Sequence, residues 1–122
     1  MLDRLRVELR TWAVQPVHAA LFGSSARGDG SVDSDIDLVL VRPDGVVEDD
    51  PPWADQVDRM QGRVTAWAGN DCQMFQVDRA RLAEHLRARD PLLDELRRDA
   101  ITLAGEDIST VLRGLPTAEA DR

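Results

Sequence analysis

Two apolar runs, VHAALFG at 17–23 and DIDLVLV at 35–41, are separated by only eleven residues, Ser24 to Ser34. A parallel pair of strands needs a crossover of a dozen or more residues, most often a helix. A connector this short instead returns the chain, so that the end of the first strand lies near the start of the second. Gly23-Ser24, closing the first run, therefore comes close to Asp35 and Asp37 at the mouth of the second. After Asp37 the second run is apolar on both faces, the pattern of a central strand covered above and below.

The remaining elements follow from periodicity and stop signals. Leu2, Leu5, Leu9 and Trp12 recur at spacings of three and four, which predicts an amphipathic helix over 2–13, ended by Pro16. RPDGVVEDDPP (42–52) has the composition of a loop. Trp53, Val57, Met60, Val64 and Trp67 form a helical core stripe, stopped by Gly69-Asn70. DCQMFQV (71–77) reads as a third strand. Asp78 caps a helix over 79–88, and Asp90-Pro91 start another that runs to about Arg98. AITLAG gives a short strand or extended piece, and 107–113 a last helical turn or two. The order predicts a small α/β domain over 1–115, a mixed sheet of three or four strands packed with helices, with 116–122 a frayed tail.

Composition closes several routes. A chain of 122 residues suits one domain that buries its own core. Its formal net charge of −8 argues against direct nucleic-acid binding, which rests on a basic surface. All 15 basic residues are arginine, so no lysine nucleophile or Schiff base is available. The single cysteine, Cys72, excludes an internal disulfide and a cysteine-based zinc site, and reads as a small buried hydrophobe. The charged opening MLDRLRVELR and the absence of an apolar run near ~20 residues point to a cytoplasmic protein with no membrane partner.

Chemistry concentrates in residues 20–41. Side chains two apart on a strand share a face, so Asp35 and Asp37 project together. Two carboxylates this close resist joint ionisation, and a hard divalent cation such as magnesium relieves the repulsion. Glycine at 23 lets a phosphate approach the backbone, and SSARGD forms a helical turn whose free N–H groups face it. Arg27 adds a charge-assisted contact to a phosphate tail. His18 and His85 read as packing residues, and Glu48-Asp49-Asp50 as a solvated loop.

The string GSSARGDGSVDSDIDLVLV resembles the signature of the DNA polymerase β-type nucleotidyltransferase superfamily: an apolar residue, Gly-Ser, about ten residues, then Asp-apolar-Asp-apolar. Its wording is most similar to the minimal nucleotidyltransferases of bacteria and archaea, single-domain proteins often found as antitoxins beside a HEPN-type toxin. The resemblance implies a polymerase β-like fold, with Asp35 and Asp37 as catalytic metal ligands for Mg2+ or Mn2+. It implies a nucleoside triphosphate, ATP, seated by Gly23, Ser24 and Arg27. It further implies transfer of AMP to a hydroxyl on a protein partner, the HEPN-type toxin. Active members carry a third acid on a later strand; the matching position here is Gln73, with Asp71 two residues earlier. Two other readings stay open: a catalytically degenerate module that neutralises its partner by contact, and an antibiotic nucleotidyltransferase, which would need more chain to bind its drug.

Overall fold

In the computed structural model, which describes residues 2–22, 36–69 and 71–115, the two apolar runs are neighbours in one sheet. Strand β1 (His18–Phe22) pairs antiparallel with β2 (Ile36–Val41), His18 opposite Val41 and Phe22 opposite Asp37. Strand β3 (Cys72–Val77) lies parallel to β2, and β4 (Ile101–Gly105) antiparallel to β1, giving the order β3-β2-β1-β4. The sheet is mixed, as expected, and among the described residues its four strands are accompanied by five helices. These are α1 (Leu2–Arg10), α2 (Pro51–Ala68), α3 (Arg79–Arg87), α4 (Pro91–Asp99) and α5 (Ile108–Arg113).

Each face of the sheet has its own core, because β2 is apolar in both alternations. Leu38 and Leu40 pack with Leu5 and Leu9 of α1 and with Trp53, Met60 and Val64 of α2. Val39 and Val41 pack on the opposite face with Leu82 of α3, Leu96 of α4 and Val111 of α5. Burying a side chain of this size contributes about 1.5–3 kcal/mol. The Trp12 and Trp53 rings meet edge to face at 5.5 Å, and the buried Trp53 indole donates to Gln76 Oε1 at 2.9 Å. Trp67 closes the stripe less deeply, with the Arg4 guanidinium 5.6 Å from its ring centroid.

Helix ends follow their capping residues. Asp78, Asp90 and Asp107 accept from the N–H groups of Arg81, Leu92 and Thr110. Gly69, at φ 75, ends α2 with its N–H on the Thr65 carbonyl. Two boundaries differ from the sequence expectation. Helix α1 stops at Arg10, because the Thr11 and Trp12 N–H groups turn to carbonyls three residues back, Glu8 and Leu9. Helix α2 begins at Pro51, two residues before the stripe, since the missing proline N–H is not needed in a first turn. The tail over 116–122 lies outside the described residues.

Candidate active site

Alternation along β2 puts Asp37 on the face of Val39 and Val41, at the strand's first turn of the ladder. Across the sheet it stands in a row, with Phe22 opposite on β1 and Gln73 beside it on β3. Asp37 is half-buried there. Its charge is felt by the start of β3: the Cys72 thiol is pushed up to about 11, chiefly by burial and then by the Asp37 carboxylate. Cys72 is 2% exposed and packs in the first core, as a small buried hydrophobe does. Gly23, Ser24, Arg27 and Asp35 lie outside the described residues.

The strand expected to carry a third acid does run beside Asp37, and the residue it presents there is Gln73. An amide neither takes up a proton nor binds a hard cation as a carboxylate does. Asp71 precedes the strand, exposed, with its carbonyl accepting from the Ile36 N–H at 2.9 Å. Among the described residues no group of three or more His, Cys, Asp or Glu side chains could hold a metal. Asp37 alone is an incomplete donor set, so a cation here needs Asp35 and substrate oxygens as well. A cavity of about 490 Å³ adjoins the row, lined by Asp58, Gln61 and Thr65 of α2 and by Asp71, Cys72 and Gln73. Gln61 Nε2 donates to the Cys72 carbonyl at 2.8 Å, tying α2 to the outer edge of β3.

A family model described as a nucleotidyltransferase domain matches residues 2–103. The chain belongs to the nucleotidyltransferase domain family. No curated protein matches it significantly. Solved structures do. A toxin–antitoxin crystal structure with AMP-PNP aligns at a TM-score of 0.60 and 19% identity, over 90% of this chain and 79% of that one. The MntA-HpeT toxin–antitoxin, in a double aspartate-to-glutamate mutant, aligns at 0.60 and 15%, over 92% and 79%. A tyrosine-to-alanine mutant of MntA-HpeT aligns at 0.57 and 17%, over 89% and 77%. At these identities the likeness is one of fold.

This nucleotidyltransferase domain holds one constellation that the linear pattern did not disclose. His85, read as a packing residue, is bonded through Nδ1 to Asp90 Oδ2 at 2.8 Å, while Asp90 Oδ1 caps α4. The backbone N–H of Leu92, the His85 bond and its charge hold the Asp90 carboxyl below the usual carboxylate range. The imidazole also meets the Phe75 ring edge-on at 6.1 Å. An Asp five residues after a His, at a helix N-cap, was the available signal.

His18 is in the interior, but only half satisfied. Its Nδ1 donates to the Glu106 carbonyl at 2.6 Å, while Nε2 is buried without a partner among the described residues. Burial lowers its pKa, against the opposing effects of that carbonyl and of Asp107. Glu48 and Asp49 are exposed, as a solvated loop requires. A second cavity, of about 510 Å³ and lined by Asp44, Arg79, Glu106 and Thr110 among others, lies towards the other end of the strands, where the Arg42 N–H bonds the Val77 carbonyl. No helix among the described residues is long and apolar enough to cross a membrane.

Proposed function

We propose that this nucleotidyltransferase domain transfers AMP from ATP to a hydroxyl on a protein partner, and that the partner is a HEPN-type toxin for which it is the antitoxin. The observation that carries the reading is Asp37 at the mouth of the central strand, in a chain matched by the nucleotidyltransferase family over residues 2–103. Support for the biological role comes from the toxin–antitoxin structures that share the fold, one of them with AMP-PNP.

In this reading Asp35 and Asp37 hold the magnesium, and Gly23, Ser24 and Arg27 seat the triphosphate. When bound, magnesium neutralises phosphate charge and supports in-line displacement at the α-phosphorus. The acceptor oxygen forms a bond to that phosphorus as the bond to the pyrophosphate oxygen breaks, and pyrophosphate leaves.

The test is transfer of label from α-labelled ATP to a co-purified partner in the presence of magnesium. Label on the partner, lost in Asp37→Asn, supports the reading; none with any partner, in magnesium or manganese, overturns it. Gln73 favours a second reading, in which the domain neutralises by contact alone. Neutralisation that persists in Asp35→Asn/Asp37→Asn identifies that case.

A further inference from the structure

Among the described residues the sheet ends in two outer strands, β4 and β3, and their edges differ. Along β4, the Arg6 guanidinium of α1 reaches the Thr102 carbonyl at 3.2 Å. A cation at a sheet edge is one of the ways in which proteins blunt further pairing. Strand β3 reads CQMFQV, six residues with no charge and no proline, in a chain that is 31% charged.

The main-chain groups of β3 divide by alternation. The Asp71 and Val77 carbonyls accept from the Ile36 and Arg42 N–H groups, so the odd-numbered residues turn towards β2. The N–H and C=O of one residue in a parallel ladder point the same way, so those of Cys72, Met74 and Gln76 turn outward. The Cys72 carbonyl takes the Gln61 amide at 2.8 Å. Met74 and Gln76 each keep an N–H and a carbonyl on that edge. Their side chains are engaged elsewhere: Met74 packs on the first core, and Gln76 receives the Trp53 indole.

The cavity of about 490 Å³ opens at the start of this edge. Asp58 enters its wall from α2 and Asp71 from the approach to β3, with the Gln61 and Gln73 amides and the Thr65 hydroxyl. No arginine lines it, and neither carboxylate has an ion-pair partner among the described residues. Two exposed acids alone would be solvated surface. Beside a row of outward backbone groups they complete what strand addition uses, main-chain bonds for affinity and a side-chain pocket for specificity.

We propose that the outer edge of β3 docks an extended segment of a protein partner, which places an arginine or lysine in the Asp58–Asp71 cavity. The assignment rests on the reading above only in that the protein has such a partner. A strand added there lies about 10 Å from β2, two strand spacings, which brings the partner beside Asp37. Charge favours a basic segment over a second copy. Each chain carries −8, and antiparallel pairing of two β3 strands about Met74 would set Asp78 of one copy beside Asp71 of the other.

The experiment uses the full-length chain and the co-purified partner of the label-transfer test. Amide exchange is read residue by residue by NMR, and affinity is measured for wild type, Met74→Pro and Asp58→Asn/Asp71→Asn at low and high salt. The Met74 and Gln76 amides are expected to exchange faster than those of Gln73 and Phe75 in the free chain, and to slow at least about 10-fold in the complex. Met74→Pro removes an outward N–H and no bond to β2, and should weaken binding at least about 10-fold. Thermal unfolding shows whether that variant folds; if it does not, exchange in the wild type carries the test. Asp58→Asn/Asp71→Asn should weaken binding about fivefold at low salt and little at high salt. A complex in which both amides exchange as in the free chain overturns the docking edge, and label transfer in that complex leaves the transferase reading intact. Protection in a complex that takes no label overturns the transferase reading alone. An affinity that the acid variants leave unchanged overturns the basic occupant. Protection that grows with the concentration of the chain alone, with a doubled mass, gives the edge to a second copy and overturns the proposal.

Discussion

Asp37 on β2 and Gln73 on β3 stand side by side on parallel strands, in the same register and on the same face. A carboxylate introduced at 73 must therefore repel Asp37 unless a cation lies between them. Gln73→Asp is expected to lose about 0.5 kcal/mol in chelator, the size of a like-charge cross-strand pair. Millimolar magnesium should restore the loss and raise the melting midpoint above that of wild type under the same conditions. The response should vanish in Asp37→Asn/Gln73→Asp. Thermal unfolding with and without magnesium reads all three.

His18 couples stability to pH. Its folded-state pKa is lowered by burial, so the native protein disfavours the proton that the unfolded chain accepts below about pH 6.5. Its contribution is complete above that value and is lost as pH falls through the folded one. His18→Asn, which keeps a donor for the Glu106 carbonyl, should flatten the stability profile between pH 7 and 5. Urea unfolding at half-unit steps measures it. A variant profile parallel to wild type would remove His18 from the account.

Gly105 and Gly69 share a positive φ but not a neighbourhood. A Cβ at Gly105 would lie 2.2 Å from the Val17 carbonyl oxygen, which no relaxation of a flexible side chain can relieve. At Gly69 it would meet nothing within 4 Å. Gly69→Ala should cost only the left-handed penalty, about 1 kcal/mol. Gly105→Ala should cost about 3 kcal/mol or more, at the upper end of single substitutions. Denaturant midpoints compare the two directly.

Glu8 carries a charge into the first core, 5% exposed, with Arg63 of α2 as its partner. Removing a partner from a fully buried pair costs about 3–5 kcal/mol, but Arg63 is half in water, which weakens the effect. Arg63→Met is expected to cost about 2 kcal/mol. Glu8→Gln in the same background should recover part of it. The double-mutant cycle in urea isolates the pair.

The elements that position the site were legible because their signals are local. The stripe Trp53, Val57, Met60 and Val64 predicts a helix and all four are buried. Asp78 and Asp90 predict caps and accept the expected N–H groups. The apolar continuity of β2 predicts a central strand, and it is one. The pairing of β4 with β1 joins residues 80 to 87 apart and leaves no mark on either segment. The His85–Asp90 bond was hidden for a different reason: it depends on the positive φ of Arg89, which a sequence pattern of arginines does not announce. Of the site itself, the place of Asp37 and of the matching Gln73 were readable, since strand alternation and register follow from apolar pattern.

The pairing of Phe22 with Asp37 has a further consequence. Main-chain bonds already clamp both ends of the connector between β1 and β2, whatever its length or composition. Lengthening such a closed segment is cheap, each doubling adding only about 0.6 kcal/mol. Residues other than Gly23, Ser24, Arg27 and Asp35 can be added, deleted or exchanged there without moving Asp37. Selection can thus vary the rest of that connector while Asp37 stays bolted in place.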